Sequence, residues 1–196
     1  MISLVIVSNM RFGDYVGPYV ESVLRYEPET EIVITDLTLD GNGYNYHRGL
    51  NRGAKRAKGD WLVFSNDDVL CTDSFSEIVR NFDRNCIHGK ELRRKTEEKW
   101  GFSVEYLYGF VLVMHRSLFE KVGEFDEAYG HAGFDDIDYC WRSQEMGFNL
   151  RAHHELPFIH LADLPGASHR RYLISGYSEN MKKSKKHFLE KTKVKA

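Results

Sequence analysis

The chain has 196 residues, 42% hydrophobic and 13% aromatic, which suits one domain with a substantial core and excludes a disordered chain. Its formal net charge of −2 excludes the bulk electrostatic attraction expected of a nucleic-acid binder. Cys71, Cys86 and Cys140 lack paired or metal-like spacing, and the apolar start "ISLVIV" lacks a basic leader and is too short to span a membrane, so a soluble protein of a reducing, cytoplasmic compartment is expected.

In chain order, residues 2 to 7 form a continuous apolar run, the pattern of a central strand in a parallel sheet. Apolar spacing at Val16, Tyr19, Val20, Val23 and Leu24 predicts a helix over roughly Val16 to Arg25. "EIVITD" predicts a strand that ends at Asp36 and opens into the turn-rich "LDGNG". The helical "YHRGLNRGAKRAKG" then leads into the strand "DWLVF". Strand, helix, strand, helix, strand is the order of an open α/β sheet built from crossover units. Ligands bind such sheets at the carboxyl ends of the strands, where Ser8 and Asn9, Asp36, and Asn66 to Asp68 fall. Beyond Cys71, "DSFSEIVRNF" reads as helix and the charged "GKELRRKTEEKW" as a mobile surface segment. Strands are expected in "EYLYGFVLVMH" and a helix in "RSLFEKVG".

Two carboxylate clusters carry the chemistry. In "FSNDDV", Asp67 and Asp68 repel each other unless something positive sits beside them. A hard divalent cation such as Mg²⁺ or Mn²⁺ suits them, because it binds one or two carboxylates and completes its shell with substrate phosphates. A solvated turn is the competing reading. In "GFDDIDYCWRSQEMGF", Ile137, Cys140, Trp141 and Gln144 follow helical spacing, with Asp135 or Asp136 at the N-cap and Gly147 at the stop. Capping alone explains acids at a helix start. Three aspartates in four residues exceed that need, and a carboxylate held at such a terminus is expected to stay ionised near neutral pH, as a general base must. His160, after an apolar run, reads from its surroundings alone as a surface or hydrogen-bonded residue. No Cys–His zinc pattern, Walker-type phosphate loop or G-x-S-x-G elbow is present.

Taken in order, these segments resemble the GT-A glycosyltransferases, and specifically the inverting glycosyltransferase family 2. "ISLVIVSNM" is similar to the family's opening strand, "VITDLTLDGN" to its base-binding turn, and "GLNRGAKRAKGD" to its central helix and following strand start. "SNDD" corresponds to a variant of its metal-binding D-x-D, "YGFVLVMHRSLFEKVGEFDE" to its donor-side block, and "FDDIDYCWR" to its "ED" motif. A late histidine before a small-residue loop matches His160 to Ser168. The resemblance covers most of residues 2 to 170. It implies an α/β, single-domain GT-A (nucleotide-diphospho-sugar transferase) fold with a Rossmann-like, mostly parallel central sheet flanked by helices. The domain is expected over residues 1–178, followed by a basic tail over 179–196.

The resemblance also implies roles. Ser8, Asp36, Asn51, Asp67 and Gly109 would contact the nucleotide-sugar donor, and Asp68 and His160 would hold Mn²⁺ or Mg²⁺. Asp136 would be the catalytic base with Asp135 beside it, where the family usually has Glu. The activity implied is metal-dependent, inverting transfer of a sugar to a hydroxyl on a glycan, a lipid-linked or a protein-linked acceptor. Two rivals remain: a catalytically inactive nucleotide-sugar-binding or scaffold module of the same fold, and a sugar nucleotidyltransferase or related phosphohydrolase. Against the second, "SNMRFGDYVG" lacks a glycine-rich, basic phosphate loop. Seven lysines against two glutamates from Glu179 to Ala196 read as a solvated helix or frayed tail. The sharper expectation is peripheral contact with an anionic membrane through Lys182, Lys183, Lys185 and Lys186.

Overall fold

The computed structural model of the chain describes residues 1–8, 12–36, 44–97, 102–130, 133–164 and 177–193. The parts of the expected base-binding turn and of the loop after His160 that fall at residues 37–43 and 165–168 lie outside the described residues, as does Asn9. The side chain of Asp36 lies outside them too.

A six-stranded sheet forms the centre, in the order β2 (Glu31–Asp36), β1 (Ile2–Ser8), β3 (Trp61–Ser65), β8 (Val111–His115), β5 (Cys86–Gly89), β9 (Asn149–Ala152). Strand β8 runs against its neighbours β3 and β5, and the other five strands run one way, so the sheet is mostly parallel. Alternation along each strand divides the core into two faces. Val5, Val7, Leu62, Phe64, Leu112 and Met114 pack on one side with α2 (Tyr46–Arg56), α4 (Arg116–Val122) and α5 (Asp135–Glu145). Leu4, Ile6, Val63, Val111 and Val113 pack on the other with α1 (Gly17–Tyr26) and α3 (Ser76–Arg80). Both faces are covered, which is why these strands read as unbroken apolar runs. Gly53 lets α2 approach closely: a Cβ there would lie 2.2 Å from Val5 Cγ1.

Three local expectations change. The charged "ELRRKTEE" stretch is ordered as β6 (Leu92–Glu97), paired antiparallel with β7 (Phe102–Leu107). Its charges meet partners across and along the hairpin, Arg94 with Glu105 at 2.6 Å and Arg93 with Glu91 at 2.8 Å. The half-buried Arg93 and Lys95 alternate with exposed Leu92, Arg94 and Thr96, so long aliphatic stems cover apolar surface and supply the strand period that apolar residues usually supply. The helix expected in "DSFSEIVRNF" is only the five-residue α3.

The basic stretch expected as a tail forms α6 (Tyr177–Lys193), which packs on the domain. Phe188 and Leu189 are buried, and Phe188 joins Val104, Tyr129, Phe134 and Ile137 in a third apolar cluster. Lys191 faces inward, 2.8 Å from Asp126 and 2.7 Å from Asp138. Residues 177–193 therefore continue the packed body beyond the boundary expected at residue 178.

Candidate active site

Strand β3 delivers Ser65 to the sheet's carboxyl edge, and Asn66 to Asp68 turn the chain into β4 (Val69–Cys71). Strand β4 pairs antiparallel with β10 (Phe158–His160), with Val69 opposite His160. That register, closed by a bond from Leu161 N to Asp68 O, sets His160 beside an aspartate far from it in sequence. His160 Nε2 lies 3.3 Å from Asp68 Oδ1 and 3.4 Å from Asn66 Nδ2. Both His160 and Asp68 are buried. Phe110 stacks on the imidazole at 4.9 Å and 13°, and Tyr108 meets its edge at 5.6 Å. Burial pulls the His160 pKa down, but Asp68 and Asp163 outweigh it and raise it above its ordinary value.

The second cluster opens α5. Neither Asp135 nor Asp136 is the N-cap: Phe134 holds that position in the left-handed region, at φ 66°. A bulky residue there is strained. It is held by burial against Phe188 of α6, with ring centroids 5.7 Å apart. The three aspartates that follow diverge. Asp138 points inward to Tyr129, Arg142 and Lys191 and is structural. Asp135 Oδ1 accepts from Gly133 N at 3.1 Å and lies 3.5 Å from Nε2 of the fully buried His47. Burial pushes the Asp135 carboxyl up, yet His47 and the Gly133 N–H outweigh it and hold the carboxyl below its usual range. Asp136 Oδ2 accepts from Gly109 N at 3.1 Å, and its Oδ1 from Ile137 N at 2.9 Å. Burial, aided by the neighbouring charge of Asp135, pushes Asp136 up to about 7, so the helix start does not keep this carboxyl fully ionised near neutral pH as expected. Adjacent carboxylates with opposed shifts are the pattern of a working acid–base pair.

The tripeptide Tyr108–Gly109–Phe110 joins the two clusters. Tyr108 and Phe110 contact His160, while Gly109 between them binds Asp136. Gly109 is required at that approach, because a Cβ would lie 2.8 Å from Asp136 Cβ. From the other side, Tyr46 donates to Asn66 Oδ1 at 2.8 Å. Burial, together with Asp135, Asp67 and Asp68, raises the Tyr46 hydroxyl well above its ordinary value, so all three carboxylates lie within electrostatic reach of one phenol. Tyr46 and His47, side by side at the start of α2, are site residues that carry no motif signal. The only trace in the sequence is Asn45 before them, the helix N-cap, which accepts from Arg48 N.

The remaining expected donor residues separate. Ser8 ends β1 opposite Asp36 in register, and its buried Oγ has no hydrogen-bond partner among the described residues. Asp67 is half-buried beside Asp68. Asn51 does not join the site. Its amide donates to Phe125 O and Glu127 Oε1 and accepts from Phe125 N, which pins the 125–127 turn to α2.

Among the described residues no three His, Cys, Asp or Glu side chains form a ready cage for a metal. Two convergent ligands, Asp68 and His160, nonetheless match the way Mg²⁺ and Mn²⁺ bind, through few protein ligands with substrate oxygens filling the rest. The donor set fits such an ion.

No family model matches the chain, and no curated protein matches it. Solved structures do. The catalytic domain of Drosophila beta1,4-galactosyltransferase 7 in complex with xylobiose superposes with a TM-score of 0.58 at 18% identity, over 89% of this chain and 73% of that one. A Pyrobaculum calidifontis mannosyltransferase, in complex with GDP-Man and Mn²⁺, gives a TM-score of 0.63 at 13% identity, over 87% of this chain and 59% of its own. GalNAc-T7 with UDP, GalNAc and Mn²⁺ gives 0.66 at 14% identity, over 89% of this chain and 46% of that one. The chain thus spans about half to three-quarters of these proteins' lengths. With the mostly parallel sheet and its helices on both faces, the match shows that this chain has the GT-A glycosyltransferase fold.

Proposed function

We propose that the chain is a metal-dependent, inverting glycosyltransferase that moves a sugar from a nucleoside-diphosphate sugar to an acceptor hydroxyl. The observation that carries this reading is the placement of Asp136. A carboxyl with pKa about 7 sits at a helix start and is tied through Gly109 to the segment that packs on His160 and Asp68. The solved structures of the same fold support it, since their complexes hold nucleotide sugars or nucleotides with Mn²⁺.

Asp68 and His160 would hold the divalent ion, with Asp67 in support. That ion neutralises charge on the departing diphosphate when bound. Ser8 and Asp36, at adjacent strand ends, would meet the nucleoside. Asp136 accepts the acceptor's hydroxyl proton at Oδ1 or Oδ2, while the Gly109 N–H fixes the carboxylate's orientation. Ionised Asp135, held by His47, keeps the proton affinity of Asp136 near neutrality. A single displacement on the face opposite the nucleotide inverts the anomeric carbon and needs no covalent intermediate. A glycan or a lipid-linked acceptor fits this chemistry. Contact with an anionic membrane through Lys182, Lys183, Lys185 and Lys186 would suit the second.

Thermal shift with a panel of nucleotide sugars, with and without Mn²⁺, tests the reading. The expected result is a Mn²⁺-dependent rise in Tm with donors of one base. A Mn²⁺-independent response, or none, contradicts it, and binding without turnover toward any acceptor favours an inactive module instead.

A further inference from the structure

Asp163 lies outside the two carboxylate clusters, yet it makes the closest polar contact to His160. Its Oδ2 is 2.9 Å from His160 Nδ1, on the side of the ring opposite the nitrogen that faces Asp68. Asp163 closes the short helical turn Leu161–Asp163, and the first N–H of that turn is bonded to Asp68 O at 2.8 Å. One turn therefore fixes both the aspartate and the carboxylate behind the histidine. The ring itself cannot readily swing, with Phe110 against its face and Tyr108 at its edge.

The two ring nitrogens are chemically coupled. A carboxylate at Nδ1 accepts a hydrogen bond only if Nδ1 carries the proton, and in the neutral ring Nε2 then carries the lone pair. Here Nε2 faces Asp68 Oδ1 at 3.3 Å. Without Asp163 the proton could reside on Nε2, where Asp68 would accept it, and the nitrogen would be closed to a cation.

We propose that Asp163 is a positioning residue that holds His160 in the Nδ1–H tautomer, so that Nε2 and the Asp68 carboxylate together face a divalent cation. This rests on the reading of Asp68 and His160 as the cation site. Asp163 does not itself reach the cation, because its carboxylate sits behind the ring. It is half exposed, so its loss leaves the packing intact, and the effect of removing it appears in cation affinity and ring chemistry instead of stability.

The test uses the full chain and Mn²⁺ alone, followed by the electron-paramagnetic signal of free Mn²⁺. Asp163→Asn and Asp163→Leu are expected to weaken Mn²⁺ binding by roughly 10–100-fold with Tm nearly unchanged. In metal-free protein with ¹⁵N-labelled histidine, at a pH high enough to leave the ring neutral despite its raised pKa, His160 is expected to show a protonated Nδ1 and bare Nε2, and to shift toward the Nε2–H form in Asp163→Leu. Unchanged Mn²⁺ affinity in both variants, while Asp68→Asn abolishes binding, overturns the role of Asp163 and leaves the cation site standing. Failure of the unmodified chain to bind Mn²⁺ overturns the cation site and this role with it.

Discussion

The backbone N–H of Gly109 and the carboxylate of Asp136 are bonded at 3.1 Å, in a contact that leaves no room for a side chain on Gly109. A Cβ there would lie 2.8 Å from Asp136 Cβ and 3.2 Å from its Oδ2. Gly109→Ala should therefore displace the proposed base while leaving the apolar core alone. A misplacement of this kind costs on the order of 100-fold in turnover. Steady-state assays with the donor identified by thermal shift check it, and near-normal turnover in the Gly109→Ala variant would show that Asp136 tolerates movement.

The pH dependence follows from the Asp136 carboxyl, pushed up to about 7 by burial and by Asp135. A base must be ionised, so turnover should rise through about pH 7 and level off above it. For stability the sign is opposite. The raised folded-state pKa means that the contribution of Asp136 is fully present below its ordinary carboxylate pKa and is lost as pH rises through about 7. Asp136→Asn should accordingly raise Tm at alkaline pH and change it little in acid. Equal effects at both pH values would contradict the assigned burial of charge.

Removing His47 should move the same limb. His47→Gln takes away the imidazole that lowers the Asp135 pKa, and the two neighbouring carboxylates then share a single site without it. Asp135 faces His47, the Gly133 N–H and Tyr46, while Asp136 faces the Gly109 and Ile137 N–H groups and Tyr106. The acid limb of turnover should shift to higher pH, because losing the imidazole that lowers Asp135 raises the carboxylate pair's pKa values. A pH–rate profile that superimposes on that of the unmodified chain would remove His47 from the site.

Helix α6 should act as a brace for α5. Lys191 links Asp126 with the buried Asp138, and His187 joins Asp126 at 3.0 Å. Burial pushes Asp126 up, but His187 and Lys191 outweigh it and hold its carboxyl well below the usual range. That stabilisation is present above the ordinary carboxylate pKa and is lost as pH falls below it. Lys191→Met leaves Asp138 with Arg142 and Tyr129 and should cost about 2 kcal/mol at neutral pH, read by denaturant unfolding. The penalty should shrink in acid, and an undiminished penalty there would assign it to lost packing.

Because α6 docks on the domain, membrane contact is tested in the full chain. Deleting the helix would expose Phe134 and Val104, so the informative variant is Lys182→Gln, Lys183→Gln and Lys186→Gln in the full chain, at exposed positions. Lys183 and Lys186 are paired with Glu179 and Glu190 on the helix surface. Sedimentation with anionic vesicles should decrease in the triple variant, and equal sedimentation would discard the membrane proposal.

Continuous apolar runs made β1, β2 and β3 legible and helical apolar spacing made α1 and α5 legible, because each carries its signal in consecutive residues. Gly147 as the helix stop was equally local, with φ +85°. What the sequence hid depends on distant partners. Strands β4 and β10 are three residues each, too short for a pattern, yet their pairing alone brings His160 to Asp68. The charges of β6 concealed a strand that pairs with β7 and whose Arg93 and Arg94 meet Glu91 and Glu105. Asn51 stood in a donor-binding motif by resemblance, but its amide turns inward to backbone atoms at Phe125. In the lysine-rich end, Met181, Ser184 and Phe188 repeat at helical spacing and mark the inward face, a signal masked by seven lysines.

The most direct test is turnover of the Mn²⁺-dependent donor by the unmodified chain, Asp136→Asn and Asp135→Asn at pH 8. With the acceptor unidentified, transfer to water or to a sugar panel serves as the readout. Asp136→Asn should bind donor normally and lose at least ~100-fold in turnover, and Asp135→Asn should retain more activity with an altered pH profile. Full turnover in Asp136→Asn would contradict the account at its centre.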